Sequence, residues 1–310
     1  MATRPFPTDA IMTAITLAYR NPDTALIADE VLPRTPTAAE FKWKKYDLAA
    51  GYTVPDLKVG RKSYPTEVEF LSTDVQDHVV DFALDDFLPF EDLDVGAPGV
   101  DHKGQSTAFM TNLLMLGREI RAAALVFNPA SYAPQNQVTL SGTSQWTDQV
   151  NSDPVGAISD ALDAPIYRPN IAIFGQPAWS KLRRHPKLVQ ACKGTAQAAG
   201  LVSRAEFAEL FELANVYVGA GFVNNAKKGQ VASVSRVWGK HAAFLYRDRQ
   251  AGPQAGITWG FTAEWGSRKA GSIPDQKRGA SGGETLRVLE RVKEVVAAPD
   301  LGYFMQNVVA

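Results

Sequence analysis

The chain has a single cysteine, Cys192, in 310 residues. One thiol excludes an intrachain disulfide and any metal cluster built on cysteines, and it suits a reducing compartment. Long apolar runs are also missing. No segment is long enough to cross a bilayer, and no charged leader precedes a short apolar stretch, so neither membrane insertion nor secretion has a signal. Excess charge of one sign is missing too: 32 Lys and Arg face 33 Asp and Glu, for a formal net charge of −1. That balance argues against a protein whose affinity comes from neutralising phosphates. Histidine is scarce, and His78, His102, His185 and His241 show no H-x-x-x-H or H-x-x-E spacing. A zinc site on one helix therefore lacks support, and Asp101-His102 reads as a solvated loop.

What is present fits a globular chain with a substantial core, either one elaborate domain or two ordinary ones: 45% of residues are hydrophobic and 21% charged. Charge is unevenly placed. From Thr66 to Asp101 there are many carboxylates and no Lys or Arg, whereas the stretch before it carries Lys42, Lys44, Lys45, Lys58, Arg61 and Lys62. Opposite-signed patches of this kind can steer copies of a chain together.

Residues 41–75 look like a long hairpin with a basic tip. The return arm alternates Glu67, Val68, Glu69 and Phe70, the period-two pattern of a half-exposed strand. Ordering each residue costs about 1–2 kcal/mol of backbone entropy, and a lone two-stranded hairpin is marginal in water. Either the segment is disordered, or it lies across its own domain, or it lies across another copy of the chain.

Residues 1–40, punctuated by Pro5, Pro7, Pro22, Pro33 and Pro36, read as an irregular arm with one apolar patch from Ile11 to Tyr19. After the hairpin, Val80, Phe82 and Leu84 continue the acidic segment as a strand. Gln105 to Phe127 is the clearest helix, with Phe109, Leu113, Leu116, Ile120, Ala124 and Phe127 forming an apolar stripe at spacings of three and four. Ser106 is its expected N-cap, and Asn128-Pro129 ends it. From 137 to 253 helices alternate with short apolar strands. A helix starts at Asp153-Pro154, a strand covers Ile171–Phe174, a helix covers Gln176–Lys193, and Ser203 with Glu206 forms a capping box. Strands are expected at Val216–Val218, Val231–Trp238, Ala242–Tyr246, Ile257–Trp265, Leu286–Val296 and Tyr303–Val309, with a Gly-rich connection over 266–283. If the last two strands return to the acidic strand and the long helix, the middle unit is an insertion into a discontinuous base domain.

Catalytic chemistry has little to stand on. Cys192 and His185 are seven residues apart on the expected helix, too far to touch as nucleophile and base. Ser144 in Gly142-Thr143-Ser144-Gln145-Trp146 lacks the closing glycine of a nucleophile elbow. Gly219-Ala220-Gly221 follows a strand, but Asn224 stands where a dinucleotide fingerprint needs its third glycine, so these glycines read as a turn or bulge. No catalytic residue, cofactor or metal ligand is assigned.

The order of parts resembles the major capsid proteins of tailed bacteriophages with the Hong Kong phage-type fold, most of all those of Mu-like and related transposable phages. The likeness rests on Arg168 to Gly175, on Leu182 to Lys187, on the helix from Ala205 to Phe211 leading into Asn215 to Gly221, and on Val237-Trp238-Gly239-Lys240. Leu286-Arg287-Val288 and Leu301-Gly302-Tyr303 fit as well. The resemblance implies an α+β fold with an N-terminal arm (1–40), an extended β-hairpin loop (41–75), a peripheral domain (76–136 and 254–310) with a long spine helix (105–127), and an inserted α/β axial domain (137–253). It implies a non-enzymatic shell protein of the virion, assembled in the host bacterial cytoplasm. Copies would form pentamers and hexamers that close into an icosahedral shell around double-stranded DNA, without sequence-specific binding and without a membrane.

The hairpin would lie over a neighbouring subunit, with Lys58, Arg61 and Lys62 as contacts to an acidic surface there. The chain enters its arm almost at once, which points to a separate scaffold protein; a portal is the other expected partner, and the presence of a decoration protein is left open. No motif marks a crosslinking asparagine or its promoting carboxylate, so covalent crosslinking is not expected. Two alternatives are an encapsulin-like compartment of the same fold and a nucleotide-dependent soluble enzyme using Gly219 to Gly221.

Overall fold

A computed structural model of the chain describes residues 6–18, 26–46, 52–68, 72–94, 101–194, 200–227, 229–251 and 256–310. The arm is more regular than its prolines suggest. It contains helix α1 (Ala10–Ala18), a one-turn helix α2 (Ala28–Val31) and strand β1 (Arg34–Pro36). The hairpin arms are β2 (Glu40–Tyr46) and β3 (Ser72–His78), paired antiparallel from Glu40 opposite His78 to Tyr46 opposite Ser72. Val68 falls outside the return strand, and Glu69 and Phe70 lie outside the described residues.

The acidic strand is β4 (Val80–Pro89), followed by a short helix α3 (Phe90–Asp94) and the long helix α4 (His102–Val126). At about 1.5 Å per residue, α4 is a rod of nearly 40 Å. Its N-cap is Asp101, whose carboxylate accepts the Gly104 N–H at 2.8 Å; Ser106, the expected cap, donates instead to Asp86 on β4.

Next come β5 (Gln137–Thr139), α5 (Pro154–Asp163), β6 (Ile171–Gly175), α6 (Gln176–Leu182), α7 (Pro186–Lys193) and α8 (Arg204–Leu210). The single helix expected over 176–193 is two, because Pro186 cannot donate into the preceding turn. The capping box on α8 is present, with Ser203 and Glu206 each accepting the other's backbone N–H. Strands β7 (Asn215–Gly219), β8 (Phe222–Asn224), β9 (Val234–Arg236), β10 (Ala242–Leu245), β11 (Gly260–Glu264), β12 (Lys269–Asp275), β13 (Gly283–Val296) and β14 (Gly302–Gln306) complete the chain.

These elements build two main sheets. In the first, β13 pairs antiparallel with β4 over residues 283–292, with β12 over 283–289 and with β11 over 292–296; β1 joins β11 in parallel. Strand β12 lies in the stretch read as a Gly-rich connection. Its sequence, KAGSIPD, has weak strand propensity, and pairing to β13 makes it a strand. Helices α1 and α4 pack on this sheet through Met12, Met110, Leu114, Ala270, Leu286 and Val288. Gly271 is required here, since a Cβ would stand 1.9 Å from the Pro7 carbonyl oxygen.

The second sheet runs β5-β14-β10-β6-β7. Helices α5 to α8 cover one face around Trp146, Phe174, Trp179 and Phe207. The other face packs on the C-terminal half of α4 through Ile171, Ile173, Ala122, Ala123 and Val126. The final strand β14 thus lies in the second sheet, whereas β13 alone returns to the acidic strand.

Segment 26–36 straps both sheets to α4. Glu119 is fully buried and accepts the backbone N–H groups of Ile27 and Ala28, each at 2.8 Å, and the indole N–H of Trp238. Asp29 accepts from Arg34 and Arg118, and Arg34 also pairs with Glu264 at 2.7 Å and Glu290 at 2.6 Å. Glu30 reaches the second sheet through Arg249 and Tyr217. Burying charges at this depth requires such pairing, because an unpaired buried ion costs several kcal/mol.

Most of the apolar stripe expected to pack α4 faces outward, although Leu116 is half-buried and Phe127, at the C-cap, packs on Trp238 and Phe304. Phe109, Leu113, Ile120 and Ala124 are exposed, while Thr107, Met110, Thr111, Leu114, Arg118, Glu119, Ala122, Ala123 and Val126 are buried. The strap's ionic cluster decides which side is inside.

Candidate functional site

Enzyme-like constellations dissolve in the structure. His185 is fully buried, and its Nε2 lies 3.0 Å from Ser152 Oγ, but the serine hydroxyl donates to the Asp148 carbonyl. Its proton therefore points away from the imidazole, which leaves the serine oxygen to accept from Nε2–H, so His185 does not act as its base; burial, chiefly, also pushes the His185 pKa down. Cys192 is half-buried on α7, and burial raises its thiol, so it is a poor nucleophile. Among the described residues no group of three or more His, Cys, Asp or Glu could hold a metal ion. Gly219 abuts Trp238, with a Cβ falling 2.1 Å from the indole, and the next element is strand β8. This glycine serves close packing, and no helix N-terminus follows to take a pyrophosphate. Among the described residues no helix is long and apolar enough to cross a membrane.

The hairpin is the outlying feature. Its base is anchored: Phe41, Trp43 and Val79 pack against Phe261, Ala263 and Val295 of the first sheet. Beyond the base, residues 52–68 are almost wholly solvent-exposed. Tyr52 shares a hydrogen bond with Tyr167. From 54 to 68 the hydrogen bonds seen among the described residues stay within the loop: Ser63 N–H to Gly60 O closes the tip turn, and Thr66 Oγ1 donates to Asp56 O.

Lys58, Arg61 and Lys62 all sit at this exposed tip and take part in no ion pair among the described residues. With them stand large apolar groups that sequence reasoning passed over, including Leu57 at 76% and Tyr64 at 96% exposed, and Val54, Val59 and Val68. Such a set resembles an interface core awaiting cover. Its signal was already legible as Tyr and Val interleaved with turn residues.

The acidic strand has a different fate from the one expected. Asp85 and Asp81 on β4, and Asp77 near the end of β3, are matched within the chain by Arg287 at 2.6 Å, Arg291 at 3.2 Å and Lys293 at 3.6 Å on β13. The basic partners lie 200 residues downstream, which is why the local charge run suggested a neighbour.

Residues 131–232 match the family described as phage major capsid protein E. The chain is 50% identical over 311 residues, covering all of both chains, to the major capsid protein of Pseudomonas phage JBD67. It is 29% identical over 203 residues, 64% of each chain, to the major capsid protein of Burkholderia phage BcepMu. Among solved structures, a phage-related protein from Bordetella bronchiseptica RB50 superposes with a TM-score of 0.73 at 22% identity, covering 97% of both chains. The capsid protein of cyanophage P-SCSP1u superposes with a TM-score of 0.61 at 11% identity, covering 99% of this chain and 91% of its own.

Proposed function

The chain belongs to the major capsid proteins of tailed bacteriophages, and from that premise we propose that its copies join through the hairpin, each loop lying across a neighbouring subunit. It is a structural protein of the virion that assembles with itself, and not an enzyme. In this reading pentamers and hexamers close into an icosahedral shell around double-stranded DNA, with assembly in the host bacterial cytoplasm. The arm, peripheral domain and spine helix form the shell's continuous layer, and the unit built on the second sheet clusters at the local axes as the axial domain. A separate scaffold protein and a portal are the further partners in this reading, with a decoration protein left open. An encapsulin-like compartment is not favoured, because the full-length sequence likeness runs to a phage capsid protein.

One observation supports the hairpin contact above the rest: residues 54–68 expose apolar and cationic groups together while their hydrogen bonds, among the described residues, stay local. Apolar cover at about 25 cal/mol per Å² supplies the free energy, less the entropy of association. The tip cations steer the approach to an acidic surface and fix register. Replacing Lys58, Arg61 and Lys62 together by Glu leaves the subunit folded and prevents closed shells; normal particles in negative-stain micrographs of that variant would refute the assignment.

A further inference from the structure

Among the described residues several cations stand outside the ion pairs, and two clusters of them have different surroundings. One is the hairpin tip. The other is the corner between α6 and α7, Lys181-Leu182-Arg183-Arg184-His185-Pro186-Lys187. Leu182, His185 and Leu188 are fully buried there, and this spacing of three turns Lys181, Arg184 and Lys187 outward, the first two exposed and the third half-buried. The stretch from Ala164 to Ala205 contains Arg168, Arg183, Lys193 and Arg204 besides these three and no carboxylate of its own, while Asp148 and Asp153 come near the buried His185 from the loop before α5. At its margins Arg168 pairs with Asp163 at 2.6 Å and Lys193 approaches Glu206 at 3.8 Å. Among the described residues the corner itself has no ion pair.

The hairpin cations are surrounded by exposed apolar side chains, whereas at the corner Leu201, next to the Val202 N–H that donates to the Arg183 carbonyl, is the one exposed large apolar neighbour seen among the described residues. Protein interfaces keep an apolar core depleted of charge, while surfaces that meet nucleic acid are polar and strongly positive. We propose that the α6–α7 corner is a sequence-independent contact for the phosphate backbone of duplex DNA, made by Lys181, Arg184 and Lys187. The proposal rests on the shell reading, which puts DNA beside this protein. No exposed aromatic ring accompanies the three cations, so bases are neither stacked nor read. The net charge of −1 averages over this local site. Each copy then offers a few weak contacts, and a shell repeats them many times.

The test uses the full-length unassembled chain and a mixed-sequence duplex of about 30 base pairs, with fluorescence anisotropy read from about 50 to about 200 mM salt. Each phosphate contact contributes a slope of about −0.9 in log affinity against log salt, so three give roughly −3 and a loss on the order of 40-fold across that range. The variant Lys181→Gln, Arg184→Gln, Lys187→Gln flattens this slope and still forms shells. The proposal is overturned if the slope persists in that variant or if the hairpin-tip cations replaced by Gln lose as much DNA affinity. It also fails if polyglutamate competes as well as DNA, which would mark an acidic protein partner, or if the corner variant cannot form shells. Failure of the unmodified chain to form shells would instead count against the shell reading.

Discussion

At the scale of single residues, the strap cluster is the most consequential chemistry in the subunit. Glu290 is 1% exposed and is held by Arg34 at 2.6 Å and Arg268 at 3.0 Å. Burial opposes its ionisation, yet these guanidinium groups bring its carboxyl below the ordinary value of 4.5; Asp29, only partly covered at 48% side-chain exposure, is lowered likewise by Arg118 and Arg34 against the desolvation it does suffer. A depressed carboxyl contributes stability that is fully present above the unfolded value and is lost as pH falls through the folded one. Glu119 opposes this trend, since burial chiefly raises its pKa despite three N–H donors, so ionising it disfavours the fold as pH rises. Glu290→Gln removes one partner of a buried pair and costs about 3–5 kcal/mol at neutral pH. The difference in thermal midpoint between variant and parent shrinks as pH is lowered below 4.5. A midpoint difference that stays constant from neutral to acid pH would show that Glu290 is not ionised in the fold.

At the scale of elements, α4 shows what a sequence pattern conveys and what it does not. Its existence and extent to within a few residues were legible from uninterrupted helical periodicity, but its orientation was not. The stripe Phe109-Leu113-Ile120 is the more apolar side, and the side that packs carries Arg118 and Glu119. Those charges are buried because segment 26–36 and β11 and β13 supply their partners, residues far away in sequence. The same reason hid β12, whose strand identity comes from β13, and the pairing of Asp77, Asp81 and Asp85 with that strand. Local signals were sound where the partner is local, as in the Ser203–Glu206 box. The orientation of α4 has a direct check by urea denaturation of the subunit. Leu114→Ala costs about 2–5 kcal/mol by opening a cavity, and Phe109→Ser changes stability by no more than about 0.5 kcal/mol. The reverse order would return the helix to its expected orientation.

At the scale of the whole molecule, the chain combines a well-packed body with one appendage whose own contacts are few. The two sheets, the strap and α4 account for the buried core, and the hairpin base is anchored on Phe261 and Val295. Past that anchor, the loop exposes apolar area that a free subunit leaves in water and a neighbour can cover. The hairpin's need for support was visible in the sequence from its length and lack of a core. The sequence reading rests that support on charge; in the proposed docking the exposed Leu57 and Tyr64 add apolar cover, with Lys58, Arg61 and Lys62 as guides. Family membership rests on likeness along the full chain, whereas the docking of the loop rests on this exposure.

Amide hydrogen exchange over residues 54–68, compared between unassembled subunits and closed shells, tests that docking most directly. The account predicts exchange close to the rate of an unstructured peptide in the subunit and strong protection in the shell. Protection of the same amides in a monodisperse subunit, unchanged on assembly, would contradict it.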